Sequence, residues 1–498
     1  MYICTVLKIN NMSFSDIVST ISGWVWGMPF IFFCLGTGLY FSWRTRFLQI
    51  RYFKRMIKML LQGKSSASGI SSFQAFTLAL SGRIGIGNIA GVATAIAFGG
   101  PGAIFWMWVI AFLGAGTAYI ESSLAQIYKE KIDGNYRGGP AFYILKGLKN
   151  KAFATAFAIV TICALGLLLP GVQSNAICDA FLNSFGIDPR ISAGVIVILL
   201  ATIIFGGVKR IARVGEIAVP FMATGYILVV AVILIMNYQH ISSVFSLIIK
   251  SAFGFEAAFS GMVGAAISMG VKRGIFSNEA GQGSGAHAAA ACEVSHPAKQ
   301  GLVQAFSVYI DTWLVCSATA FVILISGTYR VYDGSLDNVI YTGTGMIETV
   351  TSFGAVYTQL AVDAAIPGFG SAFVAIALFF FAFTTILSYY FQSETNVYFL
   401  FRKEKTAFYM IQLLRASVLF VSFFTAINTM TLAWDLADIG VGMMAWLNLI
   451  AIVLLRKVAL KVFNDFEVQR KSGIKDPVFR PDKLGIENTE IWNDMVED

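Results

Sequence analysis

The sequence predicts an all-α protein that crosses a membrane about eleven times. Three observations predict it. Of 498 residues, 57% are hydrophobic and only 13% charged. The apolar runs recur and reach the roughly 20 residues that a helix needs to cross a bilayer. Basic residues gather in alternate loops. Strand-like alternation is absent from the runs, and backbone polar groups in lipid must be bonded within their own segment, which leaves helices.

The runs fall at 17–42, 73–100, 102–128, 152–178, 190–207, 214–236, 256–284, 301–327, 371–400, 407–428 and 433–455. Arg44, Arg46, Arg51, Lys54, Arg55 and Lys58 follow the first of them. Counted alternately from there, the loops Lys129 to Lys151, Lys209 to Arg213, Arg402 to Lys405 and Arg456 to Lys457 share one side, which the positive-inside rule makes cytoplasmic. The segment between the spans at 301 and 371 carries Arg330 against Asp333, Asp337, Glu348 and Asp363, as the opposite side should. The expectation is a multi-pass protein of the cell membrane with its N-terminus outside and its C-terminus inside. The net charge of +8 is thereby assigned to a membrane face, and no nucleic-acid partner is expected. Cys4, Cys34, Cys163, Cys178, Cys292 and Cys316 are scattered without CxxC or Cys/His spacing and read as small buried hydrophobes. No small-residue cleavage site follows an isolated short apolar stretch, so an uncleaved N-terminus is expected.

The chain divides into a leading helix with a basic connector (1–72), a ten-helix core (73–456) and a polar tail (457–498). Gly63 to Gly69 marks the first boundary; the tail lacks a core's worth of apolar residues and is expected to be cytoplasmic. Two core spans are interrupted. One reads Ser81-Gly82-Arg83-Ile84-Gly85-Ile86-Gly87-Asn88-Ile89-Ala90-Gly91; the other runs from Gly261 to Gly285 through Met269-Gly270-Val271-Lys272-Arg273-Gly274-Ile275-Phe276-Ser277-Asn278-Glu279-Ala280-Gly281. Glycine weakens a helix by roughly 1 kcal/mol per residue. A single cluster could be a close packing surface. Two of them, five helices apart and with polar side chains, read better as discontinuous helices in two inverted halves, about 73–240 and 250–456. Such a pair points to a transporter site near the midplane.

Where a helix unwinds, free amides can hold a carboxylate and free carbonyls a cation or ammonium group. Asn88 closes the first break and can bind ligand or cap the next half-helix; the two roles are compatible. Gln74 and Gln173, with Asn175, are uncharged hydrogen-bonding groups inside apolar spans, serving either as helix glue or as pocket lining. Glu121, Glu216, Asp311, Asp435 and Asp438 fall within or beside spans, where an acid can relay protons or simply be solvated. Arg83 needs water or a carboxylate, with Glu279 or Glu121 as the expected partner. His240, His287 and His296 are isolated, and no nucleophile and base stand together, so an enzymatic site is not expected.

On Gly85 to Ala93, Gly138-Gly139-Pro140-Ala141, Arg273 to Gly281 with its Phe-Ser-Asn-Glu-Ala-Gly run, Phe383-Thr384-Thr385 and Glu394-Thr395-Asn396, the chain resembles the alanine or glycine:cation symporter family. The resemblance covers nearly the whole membrane domain. It implies the leucine-transporter fold, matching the five-plus-five inverted repeat, and sodium-coupled uptake of a small amino acid such as alanine or glycine. It places Gln74, Gly87, Asn88, Gln173 and the glycine-rich break near Gly270 around the substrate. It places sodium, the coupling ion, between the backbone carbonyls of Ser81 and Ile84 and the hydroxyls of Thr384 and Thr385. For these threonines, back-bonding to a helix carbonyl is the ordinary alternative. Ile86 departs from the family, many members of which carry a hydroxyl there. The competing readings are a proton-coupled transporter of another small solute and a transporter-like membrane sensor. A channel would want symmetric pore-lining rings or a carbonyl filter.

Overall fold

The computed structural model describes residues 14–60, 68–489 apart from 335, 349, 351, 429 and 430, and 491–492. Cys4, residues 63–67 of the connector and the acidic close at 494–498 lie outside the described residues. The chain is built from α1 (Phe14–Arg44), α2 (Ser72–Arg83), α3 (Ala90–Gly99), α4 (Gly102–Ile127), α5 (Pro140–Leu148), α6 (Lys151–Phe185), α7 (Pro189–Ile204), α8 (Gly207–Met236) and α9 (Tyr238–Ala252). It continues through α10 (Val263–Asn278), α11 (Ser284–Ala290), α12 (Pro297–Ser326), α13 (Ala355–Ala365), α14 (Gly370–Leu400), α15 (Glu404–Ala426), α16 (Thr431–Leu454) and α17 (Arg456–Lys471). Two antiparallel hairpins, β1 (Glu130–Ile132) with β2 (Asn135–Arg137) and β3 (Arg330–Tyr332) with β4 (Val339–Thr342), join helices.

Among the described residues, eight helices are long and apolar enough to cross a membrane, and nine if α9 and the helical stretch Ala257–Asn278, bent by 47°, are one span. The run expected as a span at 73–100 is helical but divided between α2 and α3, and the run at 190–207 forms α7, of only 16 residues. Large apolar side chains such as Ile198, Phe221, Ile235 and Phe420 cover the outer faces of α7, α8 and α15. A soluble protein would hide that surface; a bilayer accommodates it.

The second interruption falls at the C-terminal end of the expected stretch from Gly261 to Gly285, not near Gly270. α10 runs unbroken through Gly270 and Gly274, and the chain unwinds only at Glu279 to Gly283, where Glu279, Gly281 and Gly283 take φ of 56°, 89° and 82°. The reason is close packing against α4. A Cβ on Gly270 would stand 2.5 Å from the Ala103 carbonyl oxygen, and one on Gly274 would stand 2.4 Å from Ile110 Cγ2. These glycines let two helices touch, as small residues do between membrane helices. Gly270 therefore lies in a helix contact, outside the break. Two π-helical segments, Ile162–Leu168 in α6 and Tyr309–Cys316 in α12, widen the helices beside the first break.

The tail is more structured than its polarity suggests, because it borrows apolar surface from the face that carries the basic loops. Phe479 and Trp492 are buried there. The Trp492 indole donates to the Gln126 carbonyl at 3.0 Å, and Lys129 Nζ lies over the rings of Tyr136 and Trp492 while donating to the Cys292 carbonyl. Phe479 N–H bonds the Ser295 carbonyl at 2.9 Å.

Next to it, His296 Nδ1 accepts from Ala298 N–H, so Nε2 of the neutral ring carries the proton and faces Asp465 Oδ2 at 3.1 Å. Burial pushes the His296 pKa down, against the pull of Asp465; Lys299 and Asp476 are the other charged groups facing it. A depressed folded pKa means that His296 binds the proton more readily once the tail has detached. The stabilisation is therefore complete above the ordinary histidine range of about 6.5 and is lost as pH falls through the folded value. Limited proteolysis should cut the tail faster at about pH 5.5 than at about pH 7.5, after correction on an unfolded substrate, and His296→Gln should flatten the difference. Equal rates in the unmodified protein would refute this.

Candidate substrate and cation site

α2 begins with a reciprocal cap: Ser71 Oγ accepts from Gln74 N–H and Gln74 Oε1 accepts from Ser71 N–H, each at 3.1 Å. Gln74 Nε2 then donates to Glu216 on α8 at 3.0 Å. Gln74 is thus nine residues before Arg83, roughly 14 Å along the helix axis from the break. The expected pocket role does not fit this position, because the side chain is spent on the cap.

At its other end α2 stops at Arg83. Gly85 is extended, Ile86–Asn88 forms a 3-10 turn and α3 begins at Ala90. Asn88 holds the turn: its Oδ1 accepts from Gly85 N–H at 2.9 Å, and its Nδ2 donates to Asp311 Oδ1 at 2.7 Å. Gln173, just beyond the π-helical segment of α6, accepts from Ile86 N–H at 3.3 Å. Gly87 packs on α10, where a Cβ would stand 3.0 Å from Ser277 Cα. Asn88, Gly87 and Gln173 are therefore brought together, as the sequence suggested; Gly270 and Gln74 are not.

Asp311 joins this group from the π-helical turn of α12. Asn88, Ser277 and Thr312 all donate to its carboxylate, Ser277 at 3.1 Å and Thr312 at 2.7 Å. Sequence reasoning had marked it only as one of several acids within spans.

The oxygens expected to hold sodium partly converge. Thr385 Oγ1 lies 2.8 Å from the Ser81 carbonyl, 3.3 Å from that of Ile84 and 2.9 Å from that of Phe381. One hydroxyl proton cannot serve three carbonyls at once, so the cluster has surplus acceptors of the kind a hard cation takes. Thr384 is turned elsewhere: its hydroxyl bonds the Phe380 and Phe381 carbonyls of its own helix and faces Met222 on α8 at 3.8 Å. One turn further on, Ser388 Oγ reaches the Leu78 carbonyl at 3.0 Å, a contact the sequence did not signal. Among the described residues no group of three His, Cys, Asp or Glu side chains could hold a metal. A cation here would rest on main-chain and hydroxyl oxygens.

Ser81, Asn88, Gln173 and Thr385 are each no more than 2% exposed, so the site is closed from both sides. Ion pairs bound it on either side. Toward the far face, Arg273 pairs with Asp438 through two contacts of 3.2 and 3.0 Å, and Lys272 joins at 2.7 Å. Toward the basic face, Arg137 meets Glu394 at 3.2 Å, and the Tyr390 hydroxyl donates to the same carboxylate at 2.8 Å.

The sequence matches the model of the Sodium:alanine symporter family over residues 11–481. The chain belongs to this family. Among its relatives, the putative sodium/proton-dependent alanine carrier YrbD of Bacillus subtilis is 55% identical over 96% of this chain and 97% of its own length. The sodium/proton-dependent alanine carrier of Bacillus sp. PS3 is 51% identical over 88% and 97%. In fold, this member of the sodium:alanine symporter family is similar to a manganese transporter from Eremococcus coleocola, with a TM-score of 0.50 and 13% identity over 88% of this chain and 97% of that one. It is a multi-pass membrane transporter.

In this symporter-family chain the second break is as tightly fitted as the first. At Gly283 φ is 82° and a Cβ would stand 2.3 Å from Pro140 Cγ. Gly283→Ala is expected to cost about 1–3 kcal/mol through strain and overpacking, visible as a lower melting temperature in detergent. Gly264→Ala, where nothing lies within 4 Å, is the control and should not destabilise. Equal melting temperatures would show that the 279–283 segment yields.

Proposed function

We propose that the protein is a secondary active transporter that carries sodium and a small neutral amino acid, alanine or glycine, together across the cell membrane by alternating access. The observation that carries this reading is the gathering of the Ser81, Ile84 and Phe381 carbonyls on Thr385 Oγ1, beside a helix break closed by Asn88. Unwound carbonyls supply oxygens to the ion; unwound amides and Asn88 suit a substrate carboxylate. Asp311 braces the break by accepting hydrogen bonds from Asn88, Ser277 and Thr312. The names of the relatives agree with the cargo. In this reading the basic face is cytoplasmic, the N-terminus is outside, lipid surrounds the apolar faces, and α2/α3 and α10/α11 are the matching broken helices of two inverted halves, about 73–240 and 250–456.

The buried acids favour a second reading, in which a proton drives transport in place of sodium. Labelled alanine and glycine offered to proteoliposomes under imposed gradients separate the two. Accumulation under a sodium gradient supports the proposal; accumulation under a proton gradient alone overturns it. Binding without accumulation would make the protein a sensor.

A further inference from the structure

Between the two breaks and the basic face lies a set of buried charges that the sodium and amino-acid sites do not use. Arg83 ends α2 with its Nη1 donating to the Gln304 carbonyl at 3.1 Å and to the Ser307 hydroxyl, while Nε and Nη2 have no hydrogen-bond partner. α11 presses on the guanidinium: a Cβ on Gly285 would stand 2.6 Å from Nη2. Two carboxylates share the space, and neither pairs with Arg83 within 4 Å, contrary to the direct partnership expected from the sequence. Glu121 on α4 accepts at Oε2 from Gly283 N–H at 3.1 Å and from Asn448 Nδ2 at 2.7 Å. Glu279, in the second break, accepts at Oε2 from Ser284 Oγ at 2.8 Å. On each, Oε1 is buried without a partner.

The charges do not balance. One guanidinium faces two carboxylates, and the third acid nearby, Asp311, has donors on both its oxygens. A surplus carboxylate in a dry interior must acquire a proton or a counter-ion. The other titratable groups cannot cancel it: Tyr389 of α14 beside Glu279 and Tyr143 of α5 toward Glu121 are neutral phenols. His287 of α11 is engaged on both ring nitrogens, with Ser284 O at 3.1 Å and Asn396 Nδ2 at 2.9 Å.

We infer that Glu121 and Glu279 form a proton-binding site: one or the other of the two carries a single proton, taken from water at the face opposite the basic loops before the transporter closes, and returns it to water when the 279–283 segment opens toward the basic face. This rests on the transport reading, to which it adds a proton site separate from the sodium oxygens around Thr385. Both acids sit against that hinge, Glu279 within it and Glu121 bonded to the Gly283 amide, so its movement changes the solvation of both at once.

Infrared spectra of the full-length protein in liposomes at neutral pH test the proton directly. A carbonyl band of a protonated carboxylic acid that shifts down in D2O is expected, and both Glu121→Gln and Glu279→Gln should remove it. No such band in the unmodified protein, or its persistence in both variants, would overturn the inference. This measurement needs no cargo, so it stands even where alanine uptake fails and the reading under Proposed function falls. In proteoliposomes loaded with a pH-sensitive dye, sodium-driven uptake by the unmodified protein should move protons, and either glutamine variant should uncouple that movement. Uptake with no proton movement in the unmodified protein would overturn the release step.

Discussion

Thr385→Val should raise the sodium concentration needed for half-maximal alanine uptake by about 10–100-fold, the scale on which metal sites respond to losing one partner. Valine matches threonine in shape, so the helix stays packed, but the hydroxyl that meets the Ser81 and Ile84 carbonyls is gone. Thr385→Ser should keep most of the affinity. Thr384→Val should do little to sodium, because that hydroxyl bonds its own helix and faces Met222. A sodium titration of uptake reads all three. An unchanged half-saturation in Thr385→Val would place the ion elsewhere; a shift in Thr384→Val equal to that of Thr385→Val would mean that α14 turns in another state.

Asp438→Ala is the second large effect. The carboxylate is buried and is the counter-ion of both Arg273 and Lys272. Removing one partner of a buried pair leaves uncompensated charge and costs about 3–5 kcal/mol. The rings of Phe276 and Trp434, 5.4 and 5.9 Å from the Arg273 guanidinium, can return only about 0.5–2 kcal/mol. Thermal unfolding in detergent should show the loss. Lys272→Met should cost far less, since Arg273 keeps its two-point contact. A loss below about 1 kcal/mol in Asp438→Ala would mean that water reaches the pair and screens it.

Much of the fold was readable because lipid imposes one rule, internally satisfied backbone, on every span. The first break was readable for a related reason: glycine, glycine and a capping asparagine within four residues have no better use than to end one helix and start another. The second was legible only as a stretch from Gly261 to Gly285, without the glycine at which it unwinds, because a glycine that lets helices touch and one that lets a helix unwind look alike along the chain. Only Ala103 and Ile110 opposite Gly270 and Gly274 separate the cases. The sequence itself bears on two of the expected site residues. Ser71 and Gln74 have the spacing of a capping box, which already spends the glutamine at the helix end. Thr384 and Thr385 are neighbours on a helix, about 100° apart around its axis, and only Thr385 turns to the Ser81 and Ile84 carbonyls here. The unpaired oxygens of Glu121 and Glu279 had no such signal, since they depend on how three distant segments close around Arg83.

The unwound turn from Ile84 to Ile89 also bears on how this protein should be probed by systematic substitution. Its recognition atoms belong largely to the main chain, which no replacement deletes. Apart from Asn88, whose side chain holds the turn, an alanine scan should therefore read inverted, with little response at the isoleucines and sharp losses at Gly85 and Gly87, which carry no functional group. A methyl on Gly85 would stand 2.6 Å from Thr385 Oγ1, and one on Gly87 3.0 Å from Ser277 Cα. In such a scan the residues that bear no chemistry outline the chemistry.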